Sequence, residues 1–96
     1  MAQYLVRVEL FGASANGYED LHERMEALGL KRTVTFTGGV IHEMPTGTYF
    51  GPSGLDVTDL RDRVRATAAP VSPHKDPAIF ACQIKDQEWS AFLYPA

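Results

Sequence analysis

Only one cysteine, Cys82, occurs in the chain, so no intramolecular disulfide can form. It lies in the apolar run Ala78 to Ile84, where a lone thiol acts as a small buried hydrophobe far more often than as a nucleophile. Long apolar runs are missing too: none approaches the ~20 residues of a membrane helix, and no membrane partner is expected. The amino terminus, Met1-Ala2-Gln3-Tyr4, lacks the charged segment and apolar stretch of a secretion signal, so a cytoplasmic setting is expected. Positive charge is in the minority, with nine Lys and Arg against twelve Asp and Glu and a net charge of -3. Nucleic-acid binders usually carry a basic face, which leaves RNA only a local patch. The glycines Gly38-Gly39 and Gly47, Gly51, Gly54 match neither the dinucleotide fingerprint nor the phosphate-binding P-loop. No nucleotide cofactor is expected. The three histidines, His22, His42 and His74, fall in no metal-binding pair such as His-x-His or His-Glu-x-x-His.

What is present is an ordinary globular composition, 45% hydrophobic and 22% charged over 96 residues, which fits one domain spanning 1–96. Tyr4, Val6, Val8 and Leu10 alternate with Leu5, Arg7, Glu9 and Phe11, the period of a strand with one fully apolar face. Asn16, with Glu19 three residues on, reads as a capping pair for a first helix. Its stripe is Tyr18, Leu21, Met25 and Leu28, and Gly29 with Leu30 supplies a stop signal. Arg32 to Thr37, the Gly38-Gly39 turn and a strand from Val40 form a hairpin. Pro45 cannot donate to a ladder, so a break is expected near Met44-Pro45, with pairing resumed from Thr46 to Phe50. Asp56 caps a second helix with the stripe Val57, Leu60, Val64 and Ala68, which Pro70 stops. A strand at Ala78 to Ile84, a polar turn at Lys85-Asp86-Gln87-Glu88 and a last strand at Trp89 to Tyr94 complete the chain.

The order of elements predicts an α+β fold: a ferredoxin-like β-α-β-β-α-β unit with an additional C-terminal strand, the antiparallel sheet carrying both helices on one face. The other face is left open, and the extra strand offers an edge for a second copy. Arg7 and Glu9 share that open face. An acid and a cation there can bind phosphate, hold a metal, or make a cross-strand ion pair, and the last is the most ordinary outcome.

Several segments look familiar together. Tyr-Leu-Val-Arg-Val-Glu-Leu at 4–10, Tyr-Glu-Asp-Leu-His-Glu-Arg-Met at 18–25, Arg32-Thr33, and Met44-Pro45-Thr46-Gly47-Thr48-Tyr49 resemble a family of small bacterial proteins grouped with the GhoS antitoxin of type V toxin–antitoxin systems. The resemblance runs from the first strand to the second helix. It implies a ferredoxin-like fold related to the small nuclease-like subunits of CRISPR adaptation, in which an acidic residue at the end of the first strand faces its mate across a dimer. Glu9 is the nearest counterpart. The same resemblance implies a homodimer that binds or cuts RNA, with Arg7 holding phosphate and Glu9 acting as base or as ligand of a divalent metal such as Mg²⁺. The alternative is a non-catalytic dimeric module that binds protein through the open face.

Overall fold

β1 (Ala2–Glu9) is the central strand of an antiparallel three-stranded sheet, flanked by β4 (Thr48–Ser53) and β5 (Ala78–Ile84). The coordinates are a computed structural model describing residues 1–86 and 88–96. The register pairs Leu5 with Phe50 on one side and with Cys82 on the other. Tyr4, Val6 and Val8 of β1 are buried with Leu10, as strand alternation requires. Against that face pack α1 (Ala15–Ala27) through Leu21 and Met25, and α2 (Val57–Ala68) through Leu60, Val64 and Ala68. Burying one such aliphatic side chain stabilises the fold by about 1.5–3 kcal/mol, so this single layer supplies most of the core energy. The Tyr4 hydroxyl, buried with it, donates to the Leu55 carbonyl at 2.6 Å.

The ends of the helices show what the residues dictate and what they do not. α1 closes in a Schellman arrangement: Leu30 N–H donates to Met25 C=O at 3.1 Å and Gly29 N–H to Glu26 C=O at 2.9 Å. Leu30 then packs fully buried, as the sequence predicts. Its start differs from expectation. Ser14, not Asn16, is the N-cap, and its side chain makes no capping bond; the Ser14 carbonyl begins the helix ladder instead. At α2, Asp56 caps as expected, accepting from Asp59 N–H at 2.8 Å. Val57 leaves the predicted stripe because, as the first helical residue, it lies beyond the sheet at 39% exposure.

β2 (Thr33–Thr35) and β3 (Ile41–Glu43) form a separate antiparallel pair joined through Gly38-Gly39. The chain breaks after Glu43, and β4 resumes pairing at Thr48. This is the predicted interruption at Met44-Pro45. Across it, Met44 N–H donates to Arg32 C=O and Val8 N–H to Gly47 C=O, both at 2.7 Å. Lys31, just before β2, bridges Phe50 of β4 through reciprocal backbone bonds, an isolated link between the two sheets. Gly51 permits this approach: a Cβ there would strike the Gly29 carbonyl. The result is the α+β, ferredoxin-like arrangement with both helices on one face.

The expected C-terminal strand at Trp89–Tyr94 is not formed. That segment is extended without a ladder and docks beside β3 only at its end, where Glu43 N–H donates to Tyr94 C=O and Ala96 N–H to Ile41 C=O, each at 3.0 Å. Pro95 sits at that bridge and has no N–H to extend it. Gln87, in the expected polar turn, lies outside the described residues.

Candidate functional site

Period-two alternation sends Leu5, Arg7 and Glu9 to the face that the helices leave open, and the register sets Phe80 of β5 and Thr48 of β4 on either side of Arg7. Both expected site residues are thus brought together, and both are exposed. Arg7 Nη1 donates to Thr48 Oγ1 at 3.5 Å, and among the described residues neither Arg7 nor Glu9 takes part in an ion pair. Phe80 is 66% exposed. Cys82, half-buried opposite Leu5, belongs to this face too. The open face is therefore largely apolar and carries one cation and one anion.

The C-terminal segment crosses toward the hairpin along one border of this face. The Trp89 ring stands 5.7 Å from Phe36 and 5.8 Å from Phe50, and Phe36 stacks on His42 at 3.9 Å. Between the sheet and the segment is a groove of about 1320 Å³, bordered by Phe36, Phe50, Pro52, Lys31 and Trp89. Lys31 borders both this groove and a second, smaller cavity that it shares with Arg32, His22 and Glu26.

Among the described residues no three His, Cys, Asp or Glu side chains converge as a metal site. The histidines lie apart: His42 stacks on Phe36, His74 packs beside Gly12, and His22 sits on α1. No described helix is long and apolar enough to cross a membrane.

His22, on α1, is half-buried and hydrogen-bonded. Its partner was not legible. Nδ1 lies 2.7 Å from the hydroxyl of Tyr49, a fully buried residue of β4. Burial, reinforced by neighbouring Tyr18, holds the Tyr49 hydroxyl protonated far above its ordinary range. Burial and then the Arg32 guanidinium push His22 below 6.5, against an opposing pull from Glu19. The one available signal was Tyr49 itself, since a tyrosine at a core-facing strand position must find a partner for its hydroxyl.

No protein-family model matches the chain, and no curated protein does.

Proposed function

We propose that this protein is a non-catalytic, dimeric interaction module that binds through the open face of its sheet. The observation that carries this reading is Phe80, 66% exposed beside the oppositely charged Arg7 and Glu9 on a face that neither helix covers. Full burial of such a ring is worth about 1.5–3 kcal/mol, while an exposed Arg–Glu pair is worth about 0–1 kcal/mol. The aromatic and aliphatic surface therefore drives association, and the two charges set its register. A two-fold axis through the face brings each Arg7 to the other copy's Glu9, the self-complementarity of an isologous contact.

Sedimentation equilibrium tests this. Phe80→Ser dissociates the dimer, Arg7→Glu weakens it, and combining Arg7→Glu with Glu9→Arg restores it. A wild-type chain that stays monomeric up to concentrations on the order of 1 mM overturns the reading.

A second reading is favoured by the rings themselves. Phe50, Phe80 and Trp89, with Arg7 and Lys31, offer stacking surfaces and cations of the kind that hold single-stranded RNA. This is the GhoS-like activity, with Arg7 on phosphate and Glu9 as base or metal ligand. Mixed RNA incubated with and without Mg²⁺ or Mn²⁺, beside a Glu9→Ala control, separates the two. Cleavage lost in Glu9→Ala favours the nuclease, cleavage that survives it removes Glu9 from the chemistry, and intact RNA with no binding favours the module.

A further inference from the structure

On the α1 side of the start of β2 is an open pocket of about 240 Å³, lined by His22, Glu26, Lys31, Arg32 and Thr33. That is the liquid volume of about eight waters, room for a small ion and part of what carries it. Lys31 and Arg32 bring eight N–H donors between them and Thr33 a hydroxyl, whereas Glu26 is the single carboxylate. Among the described residues neither cation makes an ion pair: the three that form are Arg24–Asp20, Arg61–Asp62 and Arg65–Asp76.

The direction of the Tyr49–His22 bond adds a further donor. A buried, protonated Tyr49 hydroxyl must place its hydrogen, and Nδ1 of His22 is its hydrogen-bond partner. Nδ1 is then the acceptor, so the neutral ring carries its proton on Nε2. Tyr49 does not line the cavity and His22 does, which leaves Nε2–H as the ring's contribution to it.

We propose that this pocket binds a phosphate group, free or as the end of a monoester, through Lys31, Arg32, Thr33 and Nε2–H of His22. Two cations against one carboxylate give the site net positive charge, and Arg32 can grip two phosphate oxygens at once. Lys31 and Thr33 also line the aromatic groove beside Phe50 and Trp89, so the two cavities share one border at the start of β2.

The groups around His22 make it the reporter. Burial and then Arg32 hold its pKa down, Glu19 opposes, and Tyr49 donates to it, with Glu26 and Lys31 also lining the cavity. An anion beside Arg32 offsets the guanidinium charge, and the His22 pKa rises. Imidazole NMR titrations of the full chain with inorganic phosphate, a nucleoside 5′-monophosphate and acetate, at matched ionic strength, read this directly. Phosphate is expected to move the His22 resonances saturably with a dissociation constant on the order of 1 mM, and to raise its pKa. Arg32→Gln weakens this by about tenfold or more. Tighter binding of the monophosphate assigns the site to monoesters, and equal binding to the free ion; both support the pocket. An equal response to acetate overturns the phosphate assignment. No saturable response, or one unchanged in Arg32→Gln, overturns the site.

Discussion

The hydroxyl of Tyr49 and Nδ1 of His22 meet at 2.7 Å, tying β4 to α1 through a bond that only a neutral imidazole accepts. Burial and then the Arg32 guanidinium hold the His22 pKa below the 6.5 of the free side chain, against Glu19, so the folded chain prefers the ring unprotonated. As pH falls below 6.5, the unfolded chain takes up a proton that the folded chain refuses. The contribution is thus fully present above 6.5 and is lost as pH drops through the folded value. Urea unfolding at about pH 7.5 and about pH 5.5 is expected to show this loss. His22→Gln, whose amide oxygen still accepts from Tyr49, is expected to flatten the difference.

Tyr49→Phe removes the donor and leaves the half-buried Nδ1 unpartnered. The expected cost is about 1 kcal/mol, read from the urea midpoint. The same variant raises the His22 pKa toward its ordinary value, because a hydrogen bond favouring the neutral ring has gone. An unchanged His22 titration in Tyr49→Phe would contradict the assigned direction of the bond.

Gly51 lies where β4 passes the turn after α1, and an added methyl meets the backbone of Gly29 and Leu30 rather than a movable side chain. Gly51→Ala is expected to destabilise by about 2–3 kcal/mol, with the Lys31–Phe50 amides losing hydrogen-exchange protection first. Protection retained there at wild-type level would show that the turn yields without cost.

The two helix starts are expected to respond differently. Asp56→Ala removes a formed cap and costs about 1 kcal/mol. Asn16→Ala touches no cap and changes stability by less than about 0.5 kcal/mol. Thermal unfolding of the two variants side by side checks the contrast.

Strand β1 was readable because a fully apolar face at period two admits one interpretation, and Pro45 announced the break in the sheet because it cannot donate. The end of α1 was equally plain from Gly29 and Leu30. Its beginning was not: Ser14 and Asn16 are both residue types that cap, yet the helix starts at Ser14 without a side-chain capping bond. Trp89 to Tyr94 has strand-like composition, yet among the described residues it gains a single backbone bond to the hairpin, at Tyr94, and composition does not reveal how many partners an edge will find. The site divides in the same way. Arg7 and Glu9 on one face follow from alternation alone. Phe80 beside Arg7 depends on register between strands far apart in sequence, and the meeting of His22, Tyr49 and Arg32 depends on three elements docking together.

The place of β1 in the middle of the sheet sets the order in which the molecule can assemble. Its residues precede both partner strands, and Gln3 pairs with Pro52 and Ile84, so the strand has no lasting partner until β4 and β5 have been made. Only the β2–β3 hairpin and the two helices can form from neighbours in sequence. Closing such distant pairings carries a loop-entropy cost that local contacts do not offset, which slows folding relative to helical domains of similar length. On the ribosome, the apolar face of β1 stays without its sheet until β5 has emerged.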